Sequence, residues 1–331
     1  MKCLKSALYD RFLCIAGACP DSCCQEWDVQ VDADSATRYL ALPGALGDAL
    51  RQKLKHDDQG EYYLKITDRR CPMWRTDGLC EIQAQLGEEA LCKVCREFPR
   101  LRHDYGDFVE LGLELSCPEA ARLILTSPAE MPIIEEVTGG EEPDYDRQTM
   151  EILLRSRTQA LQLLESHSVP EALALLLLYA YAVQEELDGG EAAVCNPEAD
   201  LALARKAARP SEDQLLHEFY LGLEILTPRW EALLRNPSPA GAWTPELRAM
   251  ARYGVERYWL QAVSDFDLVC RVKMIVAACV LVRQLGGNVI DTAQLYAKEI
   301  ENSAENVDAI LDAAYTSPAF TDVYLLGQLL L

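Results

Sequence analysis

Apolar and polar positions follow two different rhythms along these 331 residues. Through the first 126 the rhythm is short and mixed. Residues 27–32 (Trp-Asp-Val-Gln-Val-Asp) alternate as a half-buried strand does. Residues 62–67 are rich in aromatic and β-branched side chains, and 108–115 read as a third strand. Asp34 or Ser35 is placed to cap a short helix toward Leu42, ended by Pro43-Gly44, and Pro118 opens another helix over 118–125. Residues 127–147 hold Pro128, Pro132, Pro143, the pair Gly139-Gly140 and a run of acids, the composition of an acidic linker. From 148 onward helical spacing takes over: 150–165, 171–187 (entered at Pro170, stopped by Gly189-Gly190), 212–226, 245–263, 292–302, 304–314 and a terminal segment ending in three leucines. Residues 268–285 are apolar nearly all round, which predicts the buried central helix of a bundle, capped by Gly286-Gly287. The predicted fold is mainly α: an irregular cysteine-rich α+β domain with short strands (1–126), the linker (127–147) and a helical bundle domain (148–331).

Half the residues are hydrophobic, enough for a sizeable core in one or two domains. The formal net charge is −22, unevenly spread: residues 1–125 hold 16 basic and 21 acidic side chains, the remainder 15 and 32. Such a chain is repelled by phosphate backbones, which argues against nucleic-acid binding. Arg69, Arg70, Arg96, Arg100 and Arg102 gather in the first part, as a surface or as partners for an anionic ligand or thiolate charge. No apolar run approaches the length that spans a bilayer, and the N-terminus shows no secretory h-region. The expectation is a cytoplasmic protein without a membrane partner.

Chemistry concentrates in the cysteines. Ten of the thirteen precede residue 118, and after Cys3 and Cys14 they are Cys19, Cys23 and Cys24 in one group, single residues at Cys71, Cys80 and Cys117, and a Cys-x-x-Cys pair at Cys92 and Cys95. Cys270 and Cys279 lie in apolar helical runs, where cysteine is an ordinary core residue. Cys23, Cys24, Cys71 and Cys117 instead lie beside or near Pro, Asp or Ser, and a reducing compartment disfavours disulfides. Thiolates are preferred ligands of zinc and iron–sulfur clusters, so the first region is expected to bind one of these. All-cysteine zinc sites commonly use two Cys-x-x-Cys knuckles, and only one is present; a four-iron cluster accommodates the irregular spacing, with zinc as the alternative. No Gly-x-Gly-x-x-Gly after a strand, P-loop or nucleophile arrangement is legible.

Several stretches resemble the flagellin lysine-N-methylase family, which shares its N-terminal part with the CxxCxxCC group of zinc- or iron-chelating proteins. They are Ala18-Cys19-x3-Cys23-Cys24-x-x-Trp27, Arg69-Arg70-Cys71-Pro72-Met73, Gly78-Leu79-Cys80-Glu81-Ile82-Gln83, Leu86-Gly87-Glu88, Cys95-Arg96-Glu97-Phe98-Pro99-Arg100 and Leu115-Ser116-Cys117-Pro118-Glu119. In the second half Arg252-Tyr253, Glu256-Arg257-Tyr258 and Tyr296 to Asn306 look similar. The resemblance implies an S-adenosylmethionine-dependent protein lysine N-methyltransferase with a flagellin-like protein substrate and a cysteine-ligated iron–sulfur cluster. A non-catalytic zinc- or iron-chelating structural or adaptor protein is the alternative. Carried over by position, the metal ligands are Cys19, Cys23, Cys24, Cys71, Cys80, Cys95 and Cys117; Cys92 stands where the family often has serine and ranks below them. The first group is not the Cys-x3-Cys-x2-Cys loop of radical enzymes using the same cofactor, so no motif supports a radical mechanism.

A protonated lysine is no nucleophile, and its ordinary pKa is near 10.4, so methyl transfer asks for a group that deprotonates or desolvates the amine. The catalytic candidates are Tyr258, Glu256, Glu299 and Asn302; those for cofactor binding are Trp27, Tyr253, Tyr296 and Asn306. Spaced i, i+3 and i+7, Glu299, Asn302 and Asn306 are expected on one side of a helix.

Overall fold

The computed structural model describes residues 1–211 and 214–331. Its first part is built from short elements: β1 (Lys2–Lys5), β2 (Val29–Val31), α1 (Ala33–Ala41), α2 (Gly44–Lys53), β3 (Leu54–His56), β4 (Tyr62–Leu64), α3 (Glu81–Leu86), α4 (Lys93–Glu97), β5 (Arg100–Asp104), β6 (Phe108–Leu113), α5 (Pro118–Thr126) and β7 (Ile133–Glu136). The helical body follows as α6 (Arg147–Ser166), α7 (Val169–Leu187), α8 (Pro197–Ala207), α9 (Leu215–Leu221), α10 (Pro228–Arg235), α11 (Pro245–Tyr258), α12 (Val269–Leu285), α13 (Val289–Ile300), α14 (Ala304–Thr316) and α15 (Asp322–Leu330). The chain is thus mainly α with a mixed α+β first part, as its residue pattern predicts.

Two sheets form among the described residues. One has the order β5-β6-β1-β7, with β1 parallel to β6 and antiparallel to β7; the other has the order β2-β4-β3, all antiparallel. Alternation sets the second sheet: Val29 and Val31 point into the core and Gln30 out. The strand lies inside the expected 27–32 but is only three residues long. The helix after it is capped by Asp32, whose carboxylate accepts the Ser35 N–H at 2.9 Å; Asp34 and Ser35 lie within the first turn. The other Asp32 oxygen accepts the Lys93 N–H at 2.8 Å, so one carboxylate serves the starts of α1 and α4. Burial works against its ionisation, the Lys93 and Ser35 N–H groups outweigh this, and its pKa falls to about 2.

The acidic stretch 127–147 contains an element the residue pattern did not predict. β7 pairs along β1, Lys2 opposite Glu136 and Lys5 opposite Ile133, and Lys5 sits between Asp10 and Glu135 at 2.6 and 3.0 Å. The cores do not divide at residue 126 either. A small core draws on residues from Val29 to Cys92, whereas Phe12, Phe108, Leu113, Leu115 and the buried face of α5 belong to the large core that runs through to Leu329.

Within the body α12 is central, as predicted, packing against α7, α11, α13, α14 and α15. Fifteen of its seventeen side chains are buried, Arg271 and Lys273 included. Gly286 ends it at φ +69°, and a Cβ there would stand 2.4 Å from the Pro239 carbonyl oxygen, so only glycine fits. The helix expected over 212–226 is shorter. Glu212 and Asp213 lie outside the described residues, α9 spans Leu215–Leu221, and beyond Gly222 the backbone leaves the helix because side chains elsewhere take its amides. Asn306 Oδ1 accepts the Glu224 N–H at 3.0 Å and Glu299 Oε2 the Leu226 N–H at 2.8 Å. Among the described residues no helix is long and apolar enough to cross a membrane.

Candidate functional site: neighbouring thiols beside an acidic cavity

Four turns carry the thiols toward one another. The Cys71 N–H donates to the Cys24 carbonyl at 2.7 Å, and Gln25 bridges Arg70, so the segments around 24 and 70 run side by side. Trp74 bridges Cys80 across a turn that contains Gly78 at φ +81°, returning the chain to α3 beside Cys71. Cys80, Cys92 and Cys117 each immediately precede a helix, α3, α4 and α5 respectively. All thirteen cysteines are free.

Their mutual influence is felt in their ionisation. The Cys23–Cys24 hydrogen bond raises the first thiol and lowers the second. The Cys92–Cys95 bond lowers Cys92 and raises Cys95, on which Cys24 and Cys23 also act. Burial pushes Cys71 up to about 12, against the Met73 amide, with Cys24, Cys80 and Cys92 adding to the rise. Cys80 is likewise raised by burial and opposed by the Gln83 and Ile82 amides. Cys24, Cys71, Cys80, Cys92 and Cys95 therefore form one neighbourhood against the small core. Cys19 and Cys117 belong to a second neighbourhood with Cys14, and Cys23 stands between the two. Among the described residues no three Cys, His, Asp or Glu side chains are grouped so as to hold a single metal ion. Four of the five arginines are engaged separately: Arg69 pairs with Glu26, Arg70 covers Trp74, Arg100 lies over Tyr9 and Phe12, and Arg102 pairs with Asp104.

Against this sulfur-rich wall lies a cavity of about 470 Å³, a size that accommodates small ligands. Cys23, Trp27 and Cys95 line it from the first part; Glu299, Asn302 and Asn306 line it from the body. Asn302 and Glu305 are exposed at its edge, while Lys298 and Glu299 are buried. Lys298 donates to Asp21 Oδ1 at 2.6 Å and its ammonium stands 5.2 Å from the centre of the Trp27 ring. Gln294, one turn earlier, donates to Asp21 Oδ2 at 3.0 Å and to the Ser116 carbonyl at 2.7 Å. These bonds tie the Cys19–Cys24 loop and the residue before Cys117 to α13. Asn306 is occupied structurally: its Nδ2 donates to the Glu224 and Glu299 carbonyls at 2.9 and 3.0 Å.

The expected single helical side for Glu299, Asn302 and Asn306 is not present. α13 ends at Ile300, and Ser303 caps α14 by accepting the Asn306 N–H at 3.2 Å, so the chain turns between them; the cavity, not a helix face, unites the three. Tyr253, Tyr258 and Tyr296 line a separate interior cavity of about 20 Å³ with Glu301, room for about one water. There the Tyr253 hydroxyl donates to Glu301 Oε2 at 2.6 Å, and Arg257 lies 3.2 Å from Glu301 and 3.9 Å from Glu114. Burial opposes the Arg257 charge, but Tyr253, Tyr258, Glu301 and Glu114 outweigh it and raise its pKa. Because Glu114 also lines the larger cavity, this network stands directly behind it. Glu256 is exposed and lines neither cavity.

Sequence reasoning passed over Lys298, Gln294 and Asp21. The first two offered a signal: polar residues on the otherwise buried stretch of α13. Asp21 gave none beyond its place among the cysteines.

Fold and site together define a mainly helical protein whose cysteine-rich first part and helical body share an acidic cavity. Among curated proteins the chain is 34% identical over 136 residues to the lysine-N-methylase of Salmonella typhimurium and 33% over 136 residues to that of Salmonella choleraesuis. Each match covers 39% of this chain and 34% of the relative. It is 32% identical over 150 residues, 44% of this chain and 85% of the relative, to the flagellar biosynthetic protein FliU of Salmonella muenchen. The chain belongs to the flagellin lysine-N-methylase family. It matches only about a third of the length of the lysine-N-methylases themselves. No family model matches the chain, and no solved structure matches it.

Proposed function

We propose that this chain is an S-adenosylmethionine-dependent protein lysine N-methyltransferase acting on a flagellin-type substrate and carrying a cysteine-ligated iron–sulfur cluster. The relatives' names support the reaction class, and the cavity, acidic on one side and sulfur-lined on the other, supports the reading of where the reaction takes place. A four-iron cluster occupies more space than one ion and takes its thiolates at separate corners. The donor set fits: neighbouring free thiols with amide N–H groups beside Cys71 and Cys80. Cys24, Cys71, Cys80 and Cys95 would hold the cluster, with Cys92 beside them, and it would crosslink four segments that share little apolar core.

The cofactor, when bound, supplies an electrophilic methyl group on a sulfonium. The chain's own residues must then orient the acceptor amine and keep water from it. Trp27 forms an aromatic wall, the Lys298–Asp21 pair fixes the sulfur-bearing loop against α13, and Asn306 holds the 222–227 loop in place. The acidic lining attracts a cationic substrate side chain.

The test is transfer of labelled methyl from S-adenosylmethionine to flagellin by anaerobically prepared, cluster-replete protein. Incorporation at lysine is expected; no transfer to any lysine substrate overturns the enzyme reading. FliU, named only for flagellar biosynthesis, is compatible with a second reading, a non-catalytic metal-binding protein. Colourless protein with stoichiometric zinc and no transfer is its expected result.

A further inference from the structure

Glu299 is 2% exposed, yet it lines the cavity. Its Oε2 accepts the Leu226 N–H at 2.8 Å, with Thr227 alongside, whereas Oε1 is buried with no hydrogen-bond partner. An unpaired buried carboxylate oxygen is costly, since it has given up water and gained no donor. The neighbouring Lys298 ammonium favours its charge but makes no bond to Oε1. Among the described residues the lining contributes Asp28, Glu114, Glu224, Glu299 and Glu305 against the single cation Lys298, and that ammonium is committed to Asp21 at 2.6 Å. The same wall thus already holds one lysine ammonium between a carboxylate and the Trp27 ring.

We propose that the cavity is a receptor for a primary alkylammonium, and that Glu299 Oε1 is the atom that receives it. This rests on the methyltransferase reading for the ligand's identity, an acceptor lysine side chain, but not for its charge. The lone acceptor distinguishes an ammonium from the sulfonium centre of S-adenosylmethionine, whose own α-ammonium is the competing donor. An ammonium donates three hydrogen bonds; a sulfonium donates none and would leave Oε1 unpaired. A charge-assisted N–H···O contact inside a partly dehydrated cavity is stronger than its counterpart in water. Glu299 accordingly acts as a specificity-determining residue at the inner end of the cavity, with Glu305 contributing only diffuse charge at the edge.

The experiment measures equilibrium binding of Nα-acetyl-lysine methylamide by ligand-observed NMR, beside its norleucine counterpart, which has the same apolar stem without the ammonium. The lysine probe is expected to bind at least tenfold more tightly. Glu299→Gln, which keeps an acceptor for the Leu226 N–H, should abolish that preference and leave the norleucine affinity unchanged; Glu305→Gln should weaken lysine binding less than threefold. Equal affinities for the two probes, a preference that survives Glu299→Gln, or an equal loss in Glu305→Gln overturns the assignment. So does loss of S-adenosylmethionine binding in Glu299→Gln with lysine binding intact, since the carboxylate would then serve the cofactor's α-ammonium. Lysine preference without methyl transfer defeats the enzyme reading alone. Transfer without a Glu299-dependent preference defeats this assignment alone.

Discussion

In the helical body, α12 is buried on almost every side and its neighbours close a single apolar core from Phe12 to Leu329. Between Val29 and Cys92 the core consists of thirteen buried residues, two of them cysteines, held in place by turns, bridges and a shared cap. The body is stabilised chiefly by removing apolar surface from water, a non-directional force that scales with area. The sulfur-rich part has little such area and relies on directional contacts, which is the situation in which a metal or cluster contributes most to a fold. Function falls at the junction: the cavity takes one wall from each.

Three substitutions sharpen this contrast. Trp259 is fully buried, and its indole N–H donates to Ser156 at 3.0 Å. Trp259→Ala should cost about 3–5 kcal/mol in urea denaturation of the whole body; a loss comparable to that of a surface substitution would mean that the body is not one cooperative unit. Gly254 lets α11 approach α12, and a Cβ there would stand 2.9 Å from Ile275 Cγ1. Gly254→Ala should cost about 1–3 kcal/mol by overpacking, and because Ile275→Ala removes both Cγ atoms that a Cβ at 254 would meet, the double variant should lose less than the sum of the two single variants. The smallest effect is expected in the sulfur-rich part, where Asp32→Ala removes a cap worth about 0.5–2 kcal/mol. The folded pKa of Asp32, about 2, lies below its ordinary 3.8, so its stabilisation is complete above that value and lost as pH falls through 2. Wild type and variant should therefore differ in stability at pH 6 and converge near pH 2; a pH-independent difference would remove the carboxylate's charge from the explanation.

Legibility followed the same divide. The limits of α12 and α5 were readable because a long or well-capped helix is a local pattern. β7 was not: its strand character depends on β1, more than a hundred residues earlier, inside a stretch whose prolines and acids suggest a linker. The 222–227 loop was misread as helix because Glu299 and Asn306 claim amides that the helix would otherwise use. Trp27, Glu299, Asn302 and Asn306 were all singled out by residue type and all reach the larger cavity, yet the helical side imagined for three of them is interrupted at Ser303. The tyrosines chosen for cofactor contact line an interior space too small for one.

By itself the sequence determined that this protein is mainly helical, that its thiols crowd the first third and that its excess charge is negative, since composition and short-range periodicity are properties of neighbours along the chain. Which thiols become neighbours, which carboxylate lacks a partner and where the cavity opens were decided only in three dimensions. Those outcomes depend on contacts such as Asp21 with Lys298, 277 residues apart, whose energies no local pattern encodes.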